Sequence, residues 1–220
     1  MRVDDARETT VTAPPRTVGI LGAGRVGAAL ARACRAAGLE ATVASSTDDP
    51  AAACAADVVV LAIPLGRYRT LPADLLRGRL VVDAMNYWWE LDGARPDLDD
   101  PTTSTSETVQ AFLAGARVVK AFGHASVWEL ENLGRPAGHP ERRGLAVAGD
   151  DAADRAAVAA LVDALGFDPV DAGPLAAGVA FEPPTEIFGS DATAAEIRAM
   201  LERFPRSQRG RVVARAREEA

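Results

Sequence analysis

Apolar and polar positions along the chain alternate between two periods. Residues 17–21, Thr-Val-Gly-Ile-Leu, form a short continuous apolar run, as expected of a strand covered on both faces. From Arg25 the apolar positions Val26, Ala29, Leu30, Ala33, Cys34 and Ala37 fall on one helical face, and Gly38 supplies the stop. The alternation then repeats. Residues 41–44, 57–63, 80–84, 117–122, 144–148 and 167–171 read as further strands with helical segments between them, and Pro64 ends the third. Ser104 and Glu107 have capping-box spacing ahead of a helix through Val109, Phe112 and Leu113. Asp150 or Asp151 caps a helix whose apolar face is Val158, Leu161, Val162 and Leu165, with Gly166 ending it.

Strands alternating with helices predict an α/β fold: a Rossmann-type, doubly wound, mainly parallel sheet, since parallel neighbours need crossover connections. After Gly173-Pro174 the rhythm fails, and the pattern predicts a small C-terminal extension. Four parts follow: a disordered N-terminal tail over 1–16, the Rossmann-type domain over 17–174, a small C-terminal portion over 175–205, and a charged tail over 206–220. Within the third part, 175–191 reads as an irregular loop and 192–203 as a helix carrying Ile197, Met200 and Leu201.

The net charge of −7 and the lack of a dense basic block argue against nucleic acid and anionic membrane as partners. No apolar run approaches the roughly 18 residues of a membrane span, and the N-terminus is not signal-like. The expectation is a cytoplasmic protein acting on a small molecule. Cys34 and Cys54 lie in Ala-rich helical segments and read as buried thiols.

Gly22-Ala23-Gly24-Arg25-Val26-Gly27 is a G-x-G-x-x-G run at the first strand-to-helix junction. In that context Gly22 makes the tight turn, Gly24 admits a pyrophosphate to the backbone, and Gly27 lets helix pack on strand. The helix N-terminus adds free N–H groups and the positive end of its dipole. NAD-binding chains of this design place an acidic residue about 20 positions beyond the glycines, on the ribose 2′-hydroxyl. Ser45-Ser46-Thr47 stands there instead, which favours NADP(H), because hydroxyls bond a 2′-phosphate and a carboxylate would repel it. Asp48 and Asp49 follow and read as caps of the next helix. Arg25 either reaches that phosphate or lies on a solvated helix face.

Ligands of such sheets bind beyond the carboxyl ends of the strands. Ala62-Ile63-Pro64 follows the third strand, Asn86-Tyr87-Trp88-Trp89 the fourth, and Gly123-His124 the fifth, after Phe122. Asn86 can bond a nicotinamide carboxamide, Tyr87, Trp88 and Trp89 offer flat apolar surface to a fused ring system, and Tyr87, Trp88, Phe122, Gly123 and His124 are the candidates for the acceptor site. The aromatic run reads equally as a core plug or a dimer contact. His124 either orients the acceptor or moves a proton, or is a packed, hydrogen-bonded residue. No metal-ligand spacing, nucleophile elbow or Walker loop is present, so no catalytic side chain is assigned and the chemistry rests on the cofactor.

Together, the run 17–27, Ala62-Ile63-Pro64, Val118-Val119-Lys120-Ala121-Phe122 and Asp171-Ala172-Gly173-Pro174-Leu175 resemble the NADPH-dependent reductases of coenzyme F420, the F420-dependent NADP oxidoreductases. The resemblance implies a homodimer and direct hydride exchange between NADP(H) and a deazaflavin, F420 or its precursor FO. It implies NADP contacts at Gly22, Ala23, Gly24, Arg25, Ser45, Ser46, Thr47, Ile63 and Pro64. The family carries Ser-Arg after the second strand, whereas Ser46 holds the Arg position here, and 180–184 replaces a helix. Those departures leave a flavin, a ferric complex or an imine as alternative acceptors, and a non-catalytic dinucleotide-binding module as the alternative from another class.

Overall fold

The computed structural model describes residues 13–219, so the tail expected over 1–16 falls mostly outside the described residues. Seven strands form one sheet: β1 Thr17–Leu21, β2 Glu40–Ala44, β3 Val58–Leu61, β4 Leu80–Asp83, β5 Arg117–Lys120, β6 Gly144–Gly149 and β7 Asp168–Gly173. Their order is β2-β1-β3-β4-β5-β6-β7, and every neighbouring pair is parallel except β5 with β6. This is the expected doubly wound α/β sheet, with the β5–β6 reversal as its one antiparallel step.

Alternation along each strand divides the core between two faces. Val18, Ile20, Val58, Val60, Leu80 and Val82 pack under helices α1 Arg25–Ala36, α6 Val127–Asn132 and α7 Ala152–Ala164. Leu21, Val59, Leu61 and Val81 turn the other way, against Tyr68, Leu76, Val109 and Leu113. Those four belong to a 3-10 turn at Leu65–Thr70, helix α3 Ala73–Leu76, and helix α5 Thr105–Phe112 with its C-cap. Each such buried Val or Leu contributes about 1.5–3 kcal/mol of transfer free energy. Short helices α2 Ala51–Cys54 and α4 Trp89–Asp92 complete this side.

The capping box at Ser104 and Glu107 forms in both directions, and Asp151 rather than Asp150 caps α7. Asp150 instead accepts the Leu175 N–H at 2.9 Å.

The C-terminal part differs most from the sequence expectation. Leu175–Phe181 is a 3-10 helix, not an irregular loop, and buries Val179, Ala180 and Phe181. With α8 Ala194–Arg203 it covers the outer strands: Ala146, Ala148 and Val170 pack on Phe181, Ile187 and Ile197. The stretch expected as a charged tail forms α9 Gln208–Glu219, anchored by Gly210 and Val213. Among the described residues no helix is long and apolar enough to cross a membrane.

Candidate dinucleotide and acceptor sites

The sheet order reverses at β1, which has β2 on one side and β3 on the other, and ligand crevices open at such switch points. Gly22 N–H donates to Ala44 O, and Ala62 N–H to Leu21 O, both at 2.8 Å, so the ends of β2 and β3 flank the glycine turn. Gly22 has φ +122°, and a Cβ there would stand 2.3 Å from the Ala62 oxygen. A Cβ on Gly27 would stand 1.9 Å from the Gly22 oxygen. Both positions therefore require glycine. Gly24 has open space around its Cβ direction, at the N-cap of α1. The first turn of α1 carries no side-chain cap and no acidic residue, so its N–H groups are left to a ligand.

A cavity of about 730 Å³ occupies this point. Gly22, Ala23, Gly24, Ser45, Ser46, Ala62, Ile63 and Pro64 line it, as do Asp48, Pro50, Arg67, Thr70, Leu71 and Pro72. Four of the dinucleotide residues named from sequence stand outside that lining, Asn86 beyond β4 among them. Val26 packs into the core beneath α1, Arg25 is exposed on its first turn, and Thr47 hydrogen-bonds Ser45, Oγ1 to Oγ, at 3.0 Å. Asp48 accepts the Ser45 N–H at 2.8 Å, and the Ser45 bonds hold its carboxyl below the usual range. Asp49 accepts the Ala51 N–H at 3.0 Å, but the N-cap of α2 is Pro50 and the helix has no side-chain cap, so neither Asp48 nor Asp49 is the cap expected from sequence.

Further along the carboxyl edge, β4 and β5 deliver the second group of residues. Phe122 has φ +63°, rare for a bulky side chain, and Gly123 N–H bonds back to Ala121 O at 2.8 Å across it. This tight turn brings the Gly123 oxygen to Asn86 Nδ2 at 2.5 Å. Asn86 Oδ1 is buried and left without a hydrogen-bond partner among the described residues. Trp88 packs edge-on against Phe188 with ring centroids 5.5 Å apart. Tyr87 donates its hydroxyl to Gly93 O at 2.9 Å. Tyr87, Trp88 and Trp89 line a smaller cavity of about 260 Å³ together with Thr105, Glu182 and Arg209.

Two acceptor-side residues named from sequence lie in the core. The Phe122 side chain is buried among the residues beneath α1 and α6. His124 is also buried; its Nε2 accepts the Ala146 N–H at 3.1 Å and its ring meets Phe181 edge-on. This bond requires the proton on Nδ1. Burial, reinforced by the Lys120 charge, lowers the pKa of His124 from 6.5 to about 3. The fold thus holds the neutral ring. Its stability contribution is complete above about pH 6.5 and declines as pH falls toward about 3, by ~1.4 kcal/mol per pH unit. His124→Gln keeps an acceptor for Ala146 and removes the titration. Urea unfolding at pH 7, 5.5 and 4.5 should show a flatter pH dependence in the variant. Parallel dependences would disprove the burial account.

Asp92 joins the two groups of residues. Its Oδ1 accepts the Gly66 N–H at 2.9 Å and its Oδ2 the Trp88 N–H at 3.0 Å, while the Arg95 guanidinium bonds Gly66 O. The cofactor wall after β3 and the aromatic segment after β4 are thereby held together. Neither Asp92 nor Arg67 was visible as a candidate in the sequence. The available signal for Arg67 is its place three residues past Pro64, on the strand-end segment.

No protein-family model and no curated protein matches the chain. Solved structures do. A hypothetical protein of Sinorhizobium meliloti is 28% identical with a TM-score of 0.66, over 81% of this chain and 94% of that one. A protein of Arthrobacter sp. FB24, described provisionally as an F420-dependent NADP-reductase, is 25% identical with a TM-score of 0.61, over 87% of this chain and 92% of that one. A reductive aminase of Aspergillus terreus in complex with NADPH is 16% identical with a TM-score of 0.51, over 86% of this chain and 61% of that one, a likeness of fold alone. The chain has the Rossmann-type fold of NAD(P)-dependent oxidoreductases.

Proposed function

We propose that the protein transfers a hydride between NADP(H) and a deazaflavin, F420 or its precursor FO. The observation carrying this reading is the crevice at β1, built of a glycine turn, an uncapped helix N-terminus and a hydroxyl run at the end of β2. The aromatic and amide groups further along the same sheet edge supply the acceptor end. The likeness to the Arthrobacter protein and the Val-Lys-Ala-Phe and Asp-Ala-Gly-Pro-Leu segments support the deazaflavin as acceptor.

In this reading the backbone of 22–24 and the first turn of α1 hold the pyrophosphate, and Ser45 and Ser46 face the ribose 2′-phosphate. Ile63 and Pro64 form an apolar wall, and Asn86 bonds the carboxamide. When bound, the nicotinamide supplies hydride chemistry, and the protein's part is approach and facing. Trp88, braced by Phe188, presents the ring surface of the acceptor. His124 contributes to packing and not to proton transfer, since its ring is closed to solvent and spent on Ala146. The proposal includes a homodimer, in which Trp89 and Leu91, both exposed on α4, are apolar groups a second copy would cover.

Purified protein given stereospecifically deuterated NADPH with F420, FO or FMN, without oxygen, tests this. Label should pass to the deazaflavin without exchange into water. Turnover confined to FMN would replace the acceptor, wash-out of label would require an ionisable catalytic group, and binding without turnover would leave a dinucleotide sensor.

A further inference from the structure

The crevice contains a cation that the glycine and hydroxyl motifs do not include. Ser45 and Ser46 continue β2, Arg67 lies in the 3-10 turn that continues β3, and β1 with its glycine turn runs between them. Arg67 thus lines the crevice from the wall facing the hydroxyls. The neighbouring arginines are engaged elsewhere: Arg69 pairs with Asp97 and lies over the Tyr68 ring, and Arg95 is held by Asp97 and Gly66. The Arg67 guanidinium is exposed and has neither a hydrogen-bond nor an ion-pair partner among the described residues. Arg25, the cation of the glycine motif, lies outside this lining.

Hydroxyls alone bond a phosphate without balancing its charge. A 2′-phosphate carries nearly two negative charges near neutral pH, and planar guanidinium donors are the usual match for it. The one carboxylate among the described residues of the lining, Asp48, is turned back onto the Ser45 N–H. Among the described residues the lining therefore has one committed anion, Asp48, and one uncommitted cation, Arg67.

We propose that Arg67 is the anchor for the 2′-phosphate and sets the preference for NADP(H) over NAD(H), an inference that rests on the dinucleotide reading of the crevice. The charge resides on the segment after β3, across the crevice from the Ser46 position. Arg67 is a binding residue and takes no part in hydride transfer.

Calorimetric titration of the full chain tests the assignment without turnover. The probes are 2′,5′-ADP against 5′-AMP, and NADPH against NADH, with wild type, Arg67→Gln, Arg67→Lys and Arg25→Gln. Arg67→Gln should weaken 2′,5′-ADP and NADPH by about 10- to 100-fold and leave 5′-AMP and NADH nearly unchanged. Arg67→Lys should recover part of the loss, because the charge returns without the planar fork. Arg25→Gln should have a small effect. Wild-type preference for NADPH that survives Arg67→Gln, or is lost in Arg25→Gln instead, would overturn the inference while leaving the dinucleotide site intact. Wild type that binds neither dinucleotide would remove the underlying reading, and that result appears before any variant is made.

Discussion

Gly24→Val should leave the protein folded and eliminate dinucleotide binding. The backbone at Gly24 has φ −72° and ψ −173°, values any residue adopts, and a Cβ there meets nothing within 4 Å. The native structure thus accommodates the side chain, at a cost of up to about 1 kcal/mol for a branched residue at an N-cap. The same side chain would stand at the N-terminus of α1, where a pyrophosphate must approach the backbone. Thermal unfolding separates the two effects. With NADPH at about 100 times its Kd, wild type should gain about 2.7 kcal/mol, a rise of several degrees, while the variant should gain nothing. Gly22→Ala and Gly27→Ala are the contrasting cases, since their methyl groups would collide with backbone oxygens and the apo protein itself should lose stability. A Gly24→Val protein still stabilised by NADPH would move the site away from the glycine turn.

That contrast also marks how far the sequence could be read. The parallel strands were legible because a strand covered on both faces is a continuous apolar run ended by Gly or Pro, as at 58–61 before Pro64. The Ser104–Glu107 box was legible because its spacing is itself the mechanism. Strand direction was not: pairing of β5 with β6 joins segments separated by α6, and nothing in the apolar pattern of β6 encodes antiparallel direction. The 3-10 helix at Leu175–Phe181 repeats near three residues per turn, matching neither the helix nor the strand period. Helix α9 is polar around nearly all its surface, with only Gly210 and Val213 buried, and so lacks an apolar stripe. At the site, the glycine turn and the Ser45-Ser46 run were legible as local motifs. Arg67 and Asp92 owe their positions to tertiary contacts, and the burial of His124 depends on Phe181, far along the chain.

The only lysine of the chain, Lys120, should be its most sensitive core position. Lys120 and Asp83 are opposite residues of β5 and β4, both fully buried, with Nζ 3.4 Å from Oδ2. Asp83 also accepts the Ser106 hydroxyl at 2.6 Å and the Met85 N–H at 2.9 Å, while Nζ donates to Met85 O at 2.5 Å. Met85 is thus gripped at both its N–H and its C=O, and the next residue is Asn86. Lys120→Met would leave a buried carboxylate without its cation and a carbonyl without its donor. The expected cost is about 3–5 kcal/mol, read as a fall in Tm of roughly 10 °C. Ordinary loss of packing would cost the same whatever stands at position 83. An electrostatic origin makes the two positions non-additive: with Asp83→Asn already present, Lys120→Met should cost less by at least about 1 kcal/mol, because the uncompensated charge is gone. Urea unfolding of the four proteins of this cycle decides between the two. Additive losses would make Lys120 a space-filling residue. A clear coupling would show that a buried ion pair fixes the segment from which Asn86 and Trp88 reach the candidate site.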